Sequence, residues 1–231
     1  ALVRFGLRAA DDPKILNTLK IIDAKLKVNT PNGPCWYRYN NDGYGEQENG
    51  DPYDGTGIGR AWPLLTGERA HYEIAAGNIE GARNLLKAME GFSNNGLLSE
   101  QIWDKDDIPE KELFFGKNSG SAMPLTWAHA EYIKLCASIR DNEVFDVTPQ
   151  TQERYLKQLI TSSIQVWRFN DQCKNVSSNK TLRIEVMESA IILWTEDGWI
   201  TKHETETKDM TIGIFVADIQ LKKESEKIEF T

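Results

Sequence analysis

Residues 58–91 read IGRAWPLLTGERAHYEIAAGNIEGARNLLKAMEG, and this stretch decides the fold class. Ile79, Ala82, Leu85, Leu86 and Met89 recur at the spacing that lines one face of a helix. Gly77-Asn78 just before them is a helix stop followed by a cap. Upstream, Ile58, Ala61, Trp62 and Leu65 form a second stripe of the same spacing, opened by the loop DPYDGTG. Successive helices separated by a tight stop predict a chain of helix pairs.

The same period continues outward. Ile15, Leu19, Ile22 and Leu26 predict one more helix, and Leu125, Ala128, Tyr132, Leu135 and Ile139 another, with Pro124 suited to its first turn. Leu2 to Ala9 and Gln152 to Ile160 are shorter candidates. Near Ser162 the period changes from 3.6 to 2. Leu182, Ile184 and Val186 alternate, as do Ile212, Ile214 and Val216, and Asp197-Gly198 signals a turn. The expectation is a mainly α protein with an appended all-β module: a helical domain over residues 1–160 and a small β-sandwich over 163–231, of about five short strands.

Composition narrows the partners. The chain has 231 residues, a net charge of −8 and no basic patch, which argues against nucleic acid and anionic membranes. No apolar run approaches the ~20 residues of a membrane span. Cys35, Cys136 and Cys173 lie far apart and without CxxC spacing, so they read as structural thiols. His71, His129 and His203 are too scattered for a metal site, and no cofactor is expected. The first residue is Ala1 rather than Met, with neither a charged signal-peptide start nor a cleavage motif, and reads as a start part-way through a longer protein.

Two long loops, residues 31–57 and 94–124, carry Trp, Tyr, Asn and Asp, the residue types that stack on sugars and bond their hydroxyls. Loops of this length in a compact domain are usually functional. Glu100, in LLSEQIWDKDD, lies on the second, after the helix that ends near Phe92 and before the one that starts near Pro124. Trp103 and Trp127 flank it. A carboxylate so placed is the candidate for chemistry; on spacing alone, an ordinary exposed glutamate is the better account.

Several blocks, in order, resemble bacterial glucoamylase and glucodextranase-like inverting glycosidases: CWYRYNNDGYGE (35–46), DGTGIGRAWPLLTGERAHYEIAAG (54–77), LLSEQIWD (97–104) and SAMPLTWAHAEYIKL (121–135). The resemblance covers roughly residues 1–145. It implies an (α/α)₆ barrel, of which this chain would be the C-terminal half. It implies an exo-acting α-glucan hydrolase with Glu100 as general base, Arg38 in a sugar-binding loop, and Trp62 and Trp127 lining a pocket. Trp36 and Trp103, on the loops, are further candidates for substrate contact. Arg38's planar fork suits two neighbouring hydroxyls, and a tryptophan face suits a pyranose C–H surface. The family's general acid lies upstream of everything matched, so the chain is expected to be incomplete alone. Its partners are then an α-glucan or oligosaccharide and either the missing barrel half or a second copy.

Residues 182–209 resemble C-terminal domains appended to bacterial glucoamylase-like proteins, where Trp194 and Trp199 serve either as a sugar platform or as core. Three readings stay open beside the leading one: an α-1,6-glucan or trehalose hydrolase, a non-catalytic carbohydrate-binding module, and a helical scaffold whose tryptophans merely pack. The base reading places Glu100 in a cleft facing Arg38, Trp62 and Trp127, without a cation clamped on its carboxylate.

Overall fold

Asn78 shows how the helical half is punctuated. Its side chain accepts the Gly81 amide at 3.0 Å and caps α3 (Ile79–Gly91), while Gly77, at φ 78°, lets α2 (Pro63–Ala75) end in a left-handed turn. Asp12 caps α1 (Pro13–Leu26), with Pro13 at the first helical position, where a missing N–H costs nothing. The structure, a computed structural model, describes residues 1–221 and 227–231. They form two compact units, Ala1–Leu159 and Ile160–Thr231.

In the first unit α1 is followed by a hairpin, β1 (Lys27–Thr30) and β2 (Gly33–Trp36), then α2, α3, α4 (Thr126–Asp141) and the short α5 (Pro149–Gln152). The core lies where α2, α3 and α4 meet: Ala70 and Ile74 pack with Ala82, Leu85 and Leu135, and Trp36 of β2 joins them. A second cluster, Trp62, Leu64, Met89, Leu98 and Ala128, carries this core toward the two long loops. Gly67 allows the close approach of α2 to α4, since a Cβ there would meet Glu131 Cγ at 2.7 Å.

Three expected elements differ. The stripe Ile58–Leu65 is not one helix: Ala61 bridges Ile102 and Trp62 bridges Trp36 as extended backbone, and α2 starts only at Pro63. Proline excludes the helical conformation from the residue before it, which explains the late start. Leu2 to Ala9 form turns rather than a helix, broken at Gly6 with φ 73°. Gln152 to Ile160 continue α5 only as a π turn, Glu153–Lys157, that ends at Leu159 with φ 52°.

Arg4 fixes those N-terminal turns. Its guanidinium bonds Glu131 of α4 and Asp146, and Lys134 also reaches Asp146 at 3.1 Å. Burial disfavours the Asp146 carboxylate, but the Arg4 and Lys134 hydrogen bonds outweigh that and hold its pKa down at about 2. A group depressed from an unfolded value near 3.9 stabilises the fold above that pH and loses the contribution as pH falls through the folded value. Thermal melts are therefore expected to show a loss of stability from about pH 4 toward pH 2 that is measurably smaller in Asp146→Asn. A variant keeping the full acid dependence would exclude this source.

Among the described residues the second unit has two sheets, ordered β3-β4-β8-β7 and β6-β5-β9. β3 (Ile164–Arg168) runs parallel to β4 (Thr181–Val186), and β4 pairs antiparallel with β8 (Phe215–Gln220) in the register Leu182↔Ile219, Ile184↔Ala217. β7 (Lys208–Asp209) borders β8, while β5 (Ile191–Thr195) lies between β6 (His203–Glu206) and β9 (Glu229–Phe230). Leu182, Ile184, Ala217 and Ile219 from one sheet bury with Ile192 from the other. The alternation expected at Ile212 fails: Thr211 and Gly213 take positive φ, and Ile212 is exposed ahead of a strand that begins at Phe215. Trp194 stacks on His203 at 4.4 Å and packs against the core cluster, so its ring is not an open platform.

Candidate functional site

Glu100 sits on an extended segment whose peptide groups are tied on every side. Leu98 N–H donates to His129 Nε2 at 3.0 Å, Glu100 N–H to Ala122 O at 2.8 Å and Gln101 N–H to Ser121 Oγ at 2.9 Å. Ile102 N–H and Trp103 N–H go to Ala61 O and Lys117 O. Gln101 is buried, and its side chain crosses to the other long loop, donating to Tyr44 O at 2.9 Å and accepting from Arg60 N–H. Backbone and amide bonds thus place the Glu100 loop against residues 42–62.

From that second loop Tyr44 meets the carboxylate, donating its hydroxyl to Glu100 Oε2 at 3.0 Å. Among the described residues no cation forms an ion pair with Glu100. The carboxylate opens into a cavity of about 540 Å³ whose wall includes Tyr44, Tyr53, Glu46, Lys111 and Ser121. The hydrogen bond to Glu100 is the main cause raising the Tyr44 phenol above its ordinary pKa. Asp51 on the same wall is held ionised, its pKa lowered chiefly by Lys111 at 2.6 Å.

Arg38 lies behind Tyr44. Nε and Nη2 bond both Asp42 oxygens, at 2.8 and 2.9 Å, and its guanidinium stands 4.7 Å over the Trp62 ring and 5.2 Å over Tyr44. The Asp42 hydrogen bond is the first cause of the raised Arg38 pKa, and Glu100 adds to it. Asp42 itself is disfavoured by burial, but Arg38 and the Tyr44 amide outweigh that and lower its pKa. The fork expected to hold two neighbouring hydroxyls therefore has one side occupied by Asp42.

The predicted residues divide accordingly. Glu100, Arg38 and Trp62 are brought together, with Tyr44 as the link. Trp62 is 4% exposed beneath Arg38 and supports it rather than offering an open wall. Trp127 projects from the first turn of α4, 58% exposed, and does not line the cavity. Trp36 and Trp103 are corrected to core: Trp36 is buried in β2 with its indole N–H on Asp23. Trp103 is fully buried under Arg60 at 4.3 Å, its N–H on Asp106 O. Tyr44, Asp42 and Gln101 were not singled out in sequence; Asp42 and Tyr44 lie within the quoted block NNDGYGE, and only the fold reveals their partners.

Residues 1–137 match the family Glycosyl hydrolases family 15. The chain belongs to that family. Over 156 residues it is 51% identical to a protein named glucoamylase from Clostridium sp. (strain G0005), a match covering 67% of this chain and 21% of that protein. It also matches a crystal structure of bacterial glucoamylase complexed with acarbose, with a TM-score of 0.61 and 52% identity, over 67% of this chain and 22% of that one. The chain thus spans about a fifth of the length of these relatives. The whole Glu100 cavity falls inside the stretch that matches family 15.

Proposed function

We propose that this chain is the catalytic-base portion of a glucoamylase-like hydrolase that inverts the anomeric centre as it releases glucose from the non-reducing ends of α-glucans. One observation carries the reading: a glutamate held by Tyr44, with no cation paired to it among the described residues, opens into a cavity within a stretch half identical to a glucoamylase. Glu100 accepts a proton from a water as that water attacks the anomeric carbon, and Tyr44 fixes which oxygen faces the water. The bound acarbose of the related structure supports an oligosaccharide as occupant.

Inversion needs a second, protonated carboxyl about 6.5–9.5 Å from the base. The cavity's other acids suit that role poorly, since Lys111 keeps Asp51 ionised and Glu46 turns toward Arg60, 3.9 Å away. The acid is proposed to come from residues outside these 231. The first unit is then half of an (α/α)₆ barrel, and the second a small β-sandwich module. Leu16 and Ile21 of α1 and Ile133 of α4, all exposed, mark the surface that the remaining helices or a second copy would cover.

The test is proton NMR of maltotriose hydrolysis by the full-length enzyme, with isomaltotriose and trehalose in parallel. β-Glucose as the first product from maltotriose is expected; α-glucose first would overturn inversion, and no glucose would overturn hydrolysis. Preferred cleavage of either parallel substrate would replace the linkage assignment. Tyr44→Phe removes one hydrogen bond to a charged acceptor, worth ~1.5–3 kcal/mol. It is expected to lower kcat on the order of 10-fold, measured with the same substrate; an unchanged kcat would remove Tyr44 from the mechanism.

A further inference from the structure

The peptide of Leu98 is gripped from both sides by the start of α4. Its N–H donates to His129 Nε2 at 3.0 Å, and its C=O accepts from Leu125 N–H at 2.8 Å. The Leu98 side chain is 3% exposed and packs with Trp62, Met89 and Ala128. Glu100 follows on the same extended segment. The orientation of this peptide, together with the Glu100 N–H on Ala122 O, therefore contributes to the direction in which the carboxylate leaves the loop.

The acceptors of the amides from Leu98 to Trp103 are unequal in one respect. Ala122 O, Ser121 Oγ, Ala61 O and Lys117 O keep the same hydrogen-bonding character at any working pH. His129 Nε2 does not. It accepts only while that nitrogen carries no proton, which fixes the neutral ring with its proton on Nδ1. A backbone amide cannot give up its own proton, so a second proton on the imidazole would set two N–H groups against each other. Imidazole is the side chain that ordinarily changes charge between about pH 5 and 8.

His129 shares the wall of a hollow of about 240 Å³ with Glu90 and Ser93 from the end of α3 and with Tyr132 of α4. Glu90 Oε1 accepts the Tyr132 hydroxyl at 2.9 Å, and this bond is the first cause raising the Tyr132 pKa. Cys136, one turn further along α4, also bonds the Tyr132 hydroxyl and adds to that rise. Among the described residues Glu90 is the one carboxylate on the hollow's wall.

We infer that His129 is a positioning residue for Glu100: the neutral ring holds the Leu98 peptide and so aims the carboxylate, and uptake of a second proton releases the segment toward the acid side. The inference rests on Glu100 as the general base. A displacement of about 1 Å at such a group can lower turnover as much as 10²-fold. The loss would appear in kcat rather than KM, because Arg38, Tyr44 and half of the cavity wall belong to the other loop.

The test compares the full-length wild type with His129→Gln, whose amide oxygen accepts but does not titrate, and His129→Ala. Specific ¹⁵N labelling of leucine and histidine follows the Leu98 amide and the ring nitrogens against pH, independently of catalysis. The Leu98 amide is expected to move with the ring in the wild type and to stay still in His129→Gln. His129→Ala is expected to lose about 10-fold or more in kcat at neutral pH with little change in KM. His129→Gln is expected to keep near-native kcat there and to retain it further into acid than the wild type. A Leu98 amide that ignores the ring's titration would overturn the tether. Superimposable acid limbs for wild type and His129→Gln, or a native kcat in His129→Ala, would overturn the positioning role. Loss of the base reading shows itself separately, as a Glu100→Gln variant of native activity, and leaves the labelled titration to decide the tether alone.

Discussion

Glu100→Gln in the full-length enzyme is expected to lower kcat for glucose release from maltooligosaccharides by roughly 10²–10⁴-fold, the usual contribution of a positioned general base. Glutamine keeps the shape of the side chain, and its amide oxygen can still accept the Tyr44 hydroxyl that bonds Oε2 at 3.0 Å. What it cannot do is take the proton of the attacking water. KM is therefore expected to change little, since among the described residues no cation pairs with this carboxylate. The measurement is steady-state hydrolysis over a range of substrate and pH. Near-native turnover would remove Glu100 from the chemistry, whereas a large rise in KM at unchanged kcat would make it a binding group.

The carboxylate and its arginine were legible in the sequence because they stand in blocks with strong local signals. The helices were legible where apolar spacing and caps agreed, as at Asn78 and α3. Ile58–Leu65 misled because an extended strand feeding a helix can present the same apolar spacing. Pro63 was the contrary signal, since it biases Trp62 away from the helical region. The hairpin of β1 and β2 turns at Pro31-Asn32, with Gly33 at φ 127° already paired to Thr30, and it was read as loop. Tyr44 could not be found locally: its partner is Glu100, on the other long loop, and long-range bonds such as the Gln101 crosslink bring the two together. Trp36 and Trp103 were overvalued for a related reason. A tryptophan in a long loop anchors it by burial as readily as it offers a face to a ligand, and here burial wins.

Arg4→Met is expected to destabilise the helical unit by about 3–5 kcal/mol, the range for breaking a buried ion pair by removing one partner. Arg4 is 6% exposed and Glu131 3% exposed. Arg4 holds Glu131 at 2.8 and 3.1 Å and Asp146 at 2.9 and 2.8 Å, a doubly bidentate arrangement. Without it the buried Glu131 carboxylate keeps only His71, whose Nδ1 lies 2.8 Å away. Asp146 is more open and retains Lys134, so most of the loss belongs to Glu131. At ~2–4 °C per kcal/mol for a domain of this size, the melting temperature should fall by roughly 6–20 °C. Arg4→Lys should recover only part of it, because an ammonium cannot offer two parallel N–H pairs. The deciding variant is the double replacement Arg4→Met with Glu131→Gln. If the loss comes from an uncompensated buried charge, neutralising Glu131 restores stability relative to Arg4→Met alone, giving a coupling that additive packing losses do not produce. A double variant no more stable than Arg4→Met would assign the loss to the packing of the N-terminal turns instead.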